Sequence, residues 1–342
     1  MTRAGLVVLL AACSHHATSS PGDGPGSDAA SGARAVKVMI VDMSPIEGSP
    51  ITSALGLTDK VMTNGLTLDC NSDDVCEVVT QMGYANAAAS VTALVYSSAV
   101  DLSHAYIVIA GIAGIDPMQG TLGTAAWARY AVDFGYANEI DAREMPSGWP
   151  YGYFAVGGTM PSDPPTGDYR GTFRLDESLL QAAVSLTRDV QLMDSQTAAT
   201  SRMAYPDAPA NQPPVVTQCD VVSSDTWFAG SALTQRARDW TKLATNGAGS
   251  YCTSAQEDNA TLEVLTRAAV AGRVDFTRVA LLRTASDFSA PYPGQTDSDG
   301  LLGALANGGL ALSTQNLAKT IAPLVQAIVT NWAAWQTGVP AT

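Results

Sequence analysis

Short apolar runs bounded by Gly, Pro, Asn and Asp recur along the chain and alternate with longer stretches at helical spacing. The first run, residues 37–42, predicts a strand, and the Pro- and Gly-rich segment 43–50 after it predicts a loop. Residues 61–68 alternate loosely and predict a second strand, and 76–82 predict an extended stretch turned by Gly83. Residues 86–96 form an Ala-rich helix pattern. Residues 105–110 predict a buried strand that ends at Gly111. A further strand is expected within 121–134 and another at 151–156, followed by a Pro/Asp/Gly loop at 160–169 of the kind that can cover a site. Leu179, Leu180, Ala183 and Leu186 fall near helical spacing in a predicted amphipathic helix at 175–190. The remaining expectations are a strand at 215–222, helices at 230–244 and 260–271 (the latter stopped by Gly272), a strand at 279–282, and a long helix at 317–335. Strands alternating with helices, without an internal repeat, predict an α/β fold.

Composition narrows the function classes. The chain has 342 residues, enough for one large domain or two modest ones. A net charge of −14 argues against a nucleic-acid partner. There are three histidines, His15, His16 and His104, so a Ser-His-Asp triad would have to use His104 and His-rich metal sites are starved. No metal is expected.

Arg3, the apolar run 6–10 and the sequence Leu10-Ala11-Ala12-Cys13 look like a bacterial lipoprotein signal peptide over residues 1–12, with Cys13 as the lipidated residue. The Ser/Gly/Pro/Ala-rich residues 13–35 would be a flexible tether to a domain spanning 36–342. The sequence shows no other run of about 18 or more apolar residues, so the membrane would be met only through the lipid. This predicts an exported bacterial lipoprotein, periplasmic or at the cell surface. Cys70, Cys76, Cys219 and Cys252 remain for disulfides, with three possible connectivities. Cys70 and Cys76 flank a polar turn and could close a small loop, in which case Cys219 would pair with Cys252.

Candidate chemistry lies in the run 279–291, where an apolar strand delivers Arg283, Ser286 and Asp287 in quick succession. Such groups cost desolvation energy unless paired or used. A structural Arg–Asp pair is the competing explanation.

This run and four others carry a resemblance. TNGAGSYCTSAQEDNAT from Thr245, LRTASDFSAPYPGQ from Leu282, IVIAGIAGIDP from Ile107, ARYAVDFGYANEIDAREMP from Ala128 and GWPYGYF from Gly148 resemble the purine nucleoside permease family. That family lies within the nucleoside phosphorylase/nucleosidase superfamily, which includes methylthioadenosine nucleosidase. The resemblance covers roughly residue 36 to the C-terminus. It implies one α/β domain with a central mixed sheet, partly closed into a barrel, and helices on both faces. It also implies cleavage of the N-glycosidic bond of purine nucleosides, with no cofactor.

The resemblance assigns roles to residues. Asp287 would be the acid to the leaving base, kept protonated by an apolar pocket, with Arg283 and Ser286 orienting the site. Glu47, ten residues after Lys37, would activate water; a solvated loop carboxylate is the alternative. Glu257, Asp258 and Asn259 are candidates for the sugar hydroxyls, in competition with ordinary helix capping. Trp227 would stack on the purine. Phosphorylases hold phosphate with basic side chains and a hydroxyl at the glycine turn after the middle strand. Here that turn reads Gly111-Ile112-Ala113-Gly114, with Ile112 at the hydroxyl's place. Water is therefore favoured over phosphate. Phosphorolysis is the first alternative, and a non-catalytic nucleoside-binding lipoprotein that hands substrate to a transporter is the second. A homo-oligomer is compatible with the sequence.

Overall fold

Period-two apolar patterning organises the centre of the molecule. In the computed structural model, which describes residues 32–166 and 169–340, consecutive residues of three neighbouring strands point into two different cores. The expected signal peptide, the expected lipidation site Cys13 and most of the expected tether lie outside the described residues. Met39, Val41, Ile107, Ile109, Val279 and Leu281 face one core, and Val38, Ile40, Val108, Ala110, Ala280 and Leu282 face the other. Strands buried on both faces read as continuous apolar runs, as these do.

The main elements are β1 (Val38–Asp42), α1 (Pro45–Leu55), β2 (Asp59–Thr63), β3 (Leu66–Cys70), β4 (Val75–Val79), α2 (Tyr84–Val95), β5 (Tyr106–Ile115), β6 (Ala125–Trp127), β7 (Tyr130–Asp133) and β8 (Thr172–Arg174). They continue with α3 (Glu177–Thr187), β9 (Val216–Gln218), β10 (Asp220–Ser223), α4 (Ser231–Ala244), β11 (Tyr251–Ala255), α5 (Asp258–Val270), β12 (Val279–Phe288) and α6 (Gly309–Thr330). The strands form one 12-stranded mixed sheet. Helices α2 and α5 cover one face, and α1, α3 and α6 cover the other. This is the single mixed α/β domain the resemblance implied.

The long strand β5 is the hub. Its first half pairs in parallel with β1, its second half pairs antiparallel with β11, and β12 runs parallel beside its whole length. Strand β12 also pairs with β6. The bent run β6–β7 pairs with β9 and β10, and β10 pairs with β11. The pairings thus lead back to β5, and part of the sheet curls round on itself.

Several expectations are corrected. Residues 43–50 are not a loop; they open α1. Pro45 sits at the helix start, where a missing N–H costs nothing. The expected strand at 61–68 is two strands, turned by Asn64 (φ 48°) and Gly65 (φ 80°), the positive-φ pair of a tight hairpin. Strand β5 does not end at Gly111 and β12 does not end at Leu282; each runs for 10 residues. The segment 151–156 keeps only a two-residue strand, Tyr153–Phe154. The long C-terminal helix starts earlier than expected, at Gly309, and breaks after Thr330.

The disulfides are Cys70–Cys76, between facing residues of β3 and β4, and Cys219–Cys252, between the β9–β10 junction and β11. Of the three connectivities left open, this is the one in which Cys70 and Cys76 close the small loop.

Candidate functional site

Arg283 lies at the middle of β12, buried to 1 % exposure, and organises one end of the site. Its Nε donates to Asp258 Oδ1 and Oδ2 at 3.1 and 3.2 Å, and Nη2 donates to Glu257 Oε2 at 3.2 Å and also to Asp258 Oδ1. Nη1 donates to Ile112 O at 3.0 Å. Burial works to lower the guanidinium's pKa, but the carboxylates of Asp258, Glu257 and Glu47 outweigh it and hold the charge. A structural Arg–Asp pair does exist, then, but its acid is Asp258 and not Asp287. Burial raises the pKa of Glu257, with Arg283 opposing the shift. Replacing Arg283 by Met would leave two buried carboxylates unpaired and is expected to destabilise the fold by about 3–5 kcal/mol, read by urea denaturation.

Asp258 and Glu257 remain beside Arg283 as candidates for the sugar hydroxyls. Asn259 is turned away: it accepts from Ser223 Oγ at 2.7 Å and donates to Gly171 O at 2.8 Å, binding α5 to the sheet. Glu257 occupies the N-cap position of α5 but makes no side-chain cap bond, so capping does not explain it.

Glu47 stands in the first turn of α1 and is buried, which excludes the solvated-loop alternative. Ser44 Oγ donates to its Oε2 at 2.6 Å, and Ile112 N donates to its Oε1 at 2.7 Å. The Ile112 peptide therefore joins Glu47 to Arg283 through its N–H and its C=O. The glycines around it belong to a strand and not to a turn. A β-carbon at Gly111 would meet Arg283 Nη1, and would lie 2.9 Å from Glu47 Oε1 and 3.0 Å from Met43 Sδ. Close approach of charged side chains explains these glycines.

Asp287 sits further along β12, opposite Gly114, as Arg283 is opposite Gly111. Three residues of strand separate the two positions by about 10 Å, a span suited to the base and sugar of one nucleoside. Ser286 Oγ donates to Asp287 Oδ1 at 2.8 Å, and Oδ2 has no partner. Burial raises the Asp287 carboxyl to about 6, with the Ser286 hydroxyl and the Trp227 indole pulling it down. Trp227 is 41 % exposed, so it is a ring at the mouth of the site and not a core aromatic. Phe228 beside it packs on Phe134 at 4.8 Å between ring centres.

Sequence reasoning missed Asp42 and Glu77. Both are buried against the first turn of α1, where a β-carbon at Gly48 would meet Glu77 Oε1 and lie 2.9 Å from Asp42 Oδ2. Burial, then Glu77, raises the Asp42 pKa, and burial raises that of Glu77. The available signal was Asp42 itself, a carboxylate closing an apolar strand just as Arg283 follows one. A carboxyl with a raised native pKa stabilises the fold below the ordinary carboxylate range and loses that contribution as pH rises through the native value. A native pKa that stands tenfold in proton affinity above the unfolded one costs about 1.4 kcal/mol of stability at high pH. Asp42→Asn is therefore expected to match wild-type stability near pH 4 and exceed it at pH 8, measured by chemical denaturation across pH. Equal stabilities at both pH values would count against a protonated Asp42.

Among the described residues no group of three or more His, Cys, Asp or Glu is arranged to hold a metal, and no helix is long and apolar enough to cross a membrane.

A family model described as purine nucleoside permease matches residues 35–340. A protein of Schizosaccharomyces pombe, named a probable purine nucleoside permease, is 34% identical over 324 residues, covering 87% of this chain and 90% of its own. The purine nucleoside permease of Candida albicans is 34% identical over 308 residues, covering 86% of this chain and 75% of its own. Among solved structures, a 5′-methylthioadenosine/S-adenosylhomocysteine nucleosidase from Neisseria meningitidis superposes with a TM-score of 0.55 at 14% identity, covering 85% of this chain and 99% of its own. The futalosine hydrolase of Helicobacter pylori superposes with a TM-score of 0.53 at 14% identity, covering 85% of this chain and 98% of its own.

Proposed function

The chain belongs to the purine nucleoside permease family, and from that premise we propose that it hydrolyses the N-glycosidic bond of purine nucleosides to free base and ribose. The observation that carries the reading is the presence of two buried carboxyl groups beside β5, Asp287 from β12 and Glu47 from α1. Asp287 has one oxygen fixed and one unpartnered, with its pKa raised by burial. Glu47, from the first turn of α1, is fixed through both oxygens by Ser44 Oγ and by Ile112 N of β5. An acid at the base and a carboxylate at the sugar are what glycosidic cleavage uses. Simple binding needs neither.

Water is the better nucleophile for electrostatic reasons. Asp42, Glu47, Glu77, Glu257 and Asp258 gather at the sugar end, and its cation, Arg283, is already bonded to two of them. A phosphate dianion there would meet like charge and find no free basic group.

A binding and delivery role is the second reading, favoured by the name of the relatives. In either role the protein would be exported and anchored through Cys13; the two disulfides suit an oxidising compartment. Incubation with inosine or adenosine, with and without phosphate, separates the readings. Free ribose supports hydrolysis, ribose 1-phosphate supports phosphorolysis, and tight binding without product supports delivery.

A further inference from the structure

Beside Asp287 lies a set of buried hydroxyls with nothing to bond. Asp287 Oδ2, Ser254 Oγ, Ser289 Oγ and Tyr251 Oη are all sealed from solvent and lack a hydrogen-bond partner. Native interiors leave few such atoms, and these four belong to one place. Tyr251 and Ser254 come from β11, Asp287 from the end of β12, and Ser289 follows it. A β-carbon at Gly114 would lie 2.8 Å from Ser254 Oγ and 3.1 Å from Asp287 Oδ2, so the bare glycine leaves those two atoms facing a shared space. Ser289 N donates to Ile115 O at 2.8 Å, which holds Ser289 one residue beyond that point. The Tyr251 phenol faces the hydroxyls of Ser289 and Ser254. Each hydroxyl donates one hydrogen bond and accepts others, so the three can pass their donors along to a single acceptor. Asp287 Oδ1 already takes the Ser286 hydroxyl, which leaves Oδ2 as that acceptor.

We propose that Tyr251, Ser254 and Ser289 form a hydroxyl network that positions Asp287 Oδ2 and stabilises the carboxylate left when its proton has gone to the leaving base. The proposal rests on Asp287 being the acid of the proposed reaction. In that step the proton moves from Asp287 Oδ2 to the purine as the glycosidic electron pair collapses onto the base, and Asp287 is left with the negative charge. Ser254 and Ser289 donate toward that charge, and Tyr251 donates to one of the serines. The other groups facing the acid are Ser286 on β12, Trp227 from the loop before α4, and Tyr205. Asp116, held by Arg238 of α4 at 2.6 and 2.7 Å, faces Tyr251. None of these is a cation bonded to Asp287, so neutral donors, the hydroxyls and the Trp227 indole, are what offsets its charge.

Tyr251→Phe removes the end of the network, and Ser254→Ala and Ser289→Ala remove its links. Donors to an anion favour it, so each change is expected to move the alkaline limb of kcat/KM upward, by about one pH unit for the loss of a good donor. The same midpoint is to be read without turnover by infrared titration of the protonated carboxyl band, assigned with Asp287→Asn. Upward movement of the infrared midpoint in Tyr251→Phe or in either serine variant supports the network. A midpoint within about 0.2 pH units of wild type, the scatter of a titration, in all three variants overturns it, whatever the activity. If the midpoint moves but the wild type releases no base, the network stands and the hydrolase reading falls.

Discussion

Asp287→Asn is expected to lose most of its turnover, by about 10²–10⁴-fold, while its stability matches wild type near pH 4 and equals or exceeds it at pH 8, for the linkage reason given for Asp42. The substitution keeps the shape of the side chain and its place opposite Gly114. It also keeps an acceptor for the Ser286 hydroxyl. What it removes is an acidic proton at the one oxygen without a partner. Burial holds that proton to about pH 6 in the free protein, so the wild-type rate should fall as pH rises through that region. The amide variant should lack this limb. Steady-state kinetics on purified protein, with release of base followed directly, reads both effects. A variant of unchanged kcat would take Asp287 out of the mechanism.

The chemistry is more legible in the sequence than the local geometry around it. Arg283 and Asp287 stand out because charged groups following an apolar strand must be paired or used, and both are buried in a continuous strand. A cation after an apolar run looks like a strand end; here Asp258 and Glu257 supply the counter-charge that lets β12 carry Arg283 through its middle. The expected turn at Gly111 and Gly114 fails for the same reason. Glycine weakens a strand on its own account, yet at these points only glycine leaves room for Arg283, Glu47, Ser254 and Asp287. No property of either glycine shows which side chains will arrive from 171 residues later, as the Arg283 bond to Ile112 does. Pro45 and Gly48 hide α1 for a related reason. Proline is tolerated at a helix start, and Gly48 is there because Glu77 and Asp42 press on it. The Asn64-Gly65 hairpin is legible from the dipeptide alone, although a longer apolar pattern runs across it. Asn259 shows the opposite limit. It lies in the motif with Glu257 and Asp258, but its amide is occupied by Ser223 and Gly171, a use that depends on where β10 comes to lie.

Glu47→Gln is expected to lower turnover by about 10²–10⁴-fold, as for loss of a general base, and the wild-type rate is expected to be independent of phosphate. The two expectations share one physical cause. Glu47 accepts from Ser44 Oγ and from Ile112 N, and both bonds fix its carboxylate without supplying a positive charge. Arg283 is near enough for its charge to be felt, but four of its five N–H donors are taken by Asp258, Glu257 and Ile112 O. A water molecule at this end would find a carboxylate able to take its proton. A phosphate would find carboxyl groups and a half-buried isoleucine. An amide at position 47 can still accept from Ile112 N through its oxygen while its NH2 donates to Ser44 Oγ, so folding and nucleoside binding should survive while proton abstraction does not. Initial rates with inosine at rising phosphate concentration, with the sugar product resolved as ribose or ribose 1-phosphate, test the nucleophile; KM and kcat of Glu47→Gln test the base. A rate that saturates with phosphate, accompanied by ribose 1-phosphate, would end the hydrolytic reading and require an anion site made from other side chains. Phosphate-independent release of ribose by a fully active Glu47→Gln would keep hydrolysis and move water activation elsewhere. Other carboxyl groups at this end are Asp42, Glu77 and Glu257, and their raised pKa values make each a poorer home for a negative charge, but a stronger base once ionised, than an ordinary carboxylate.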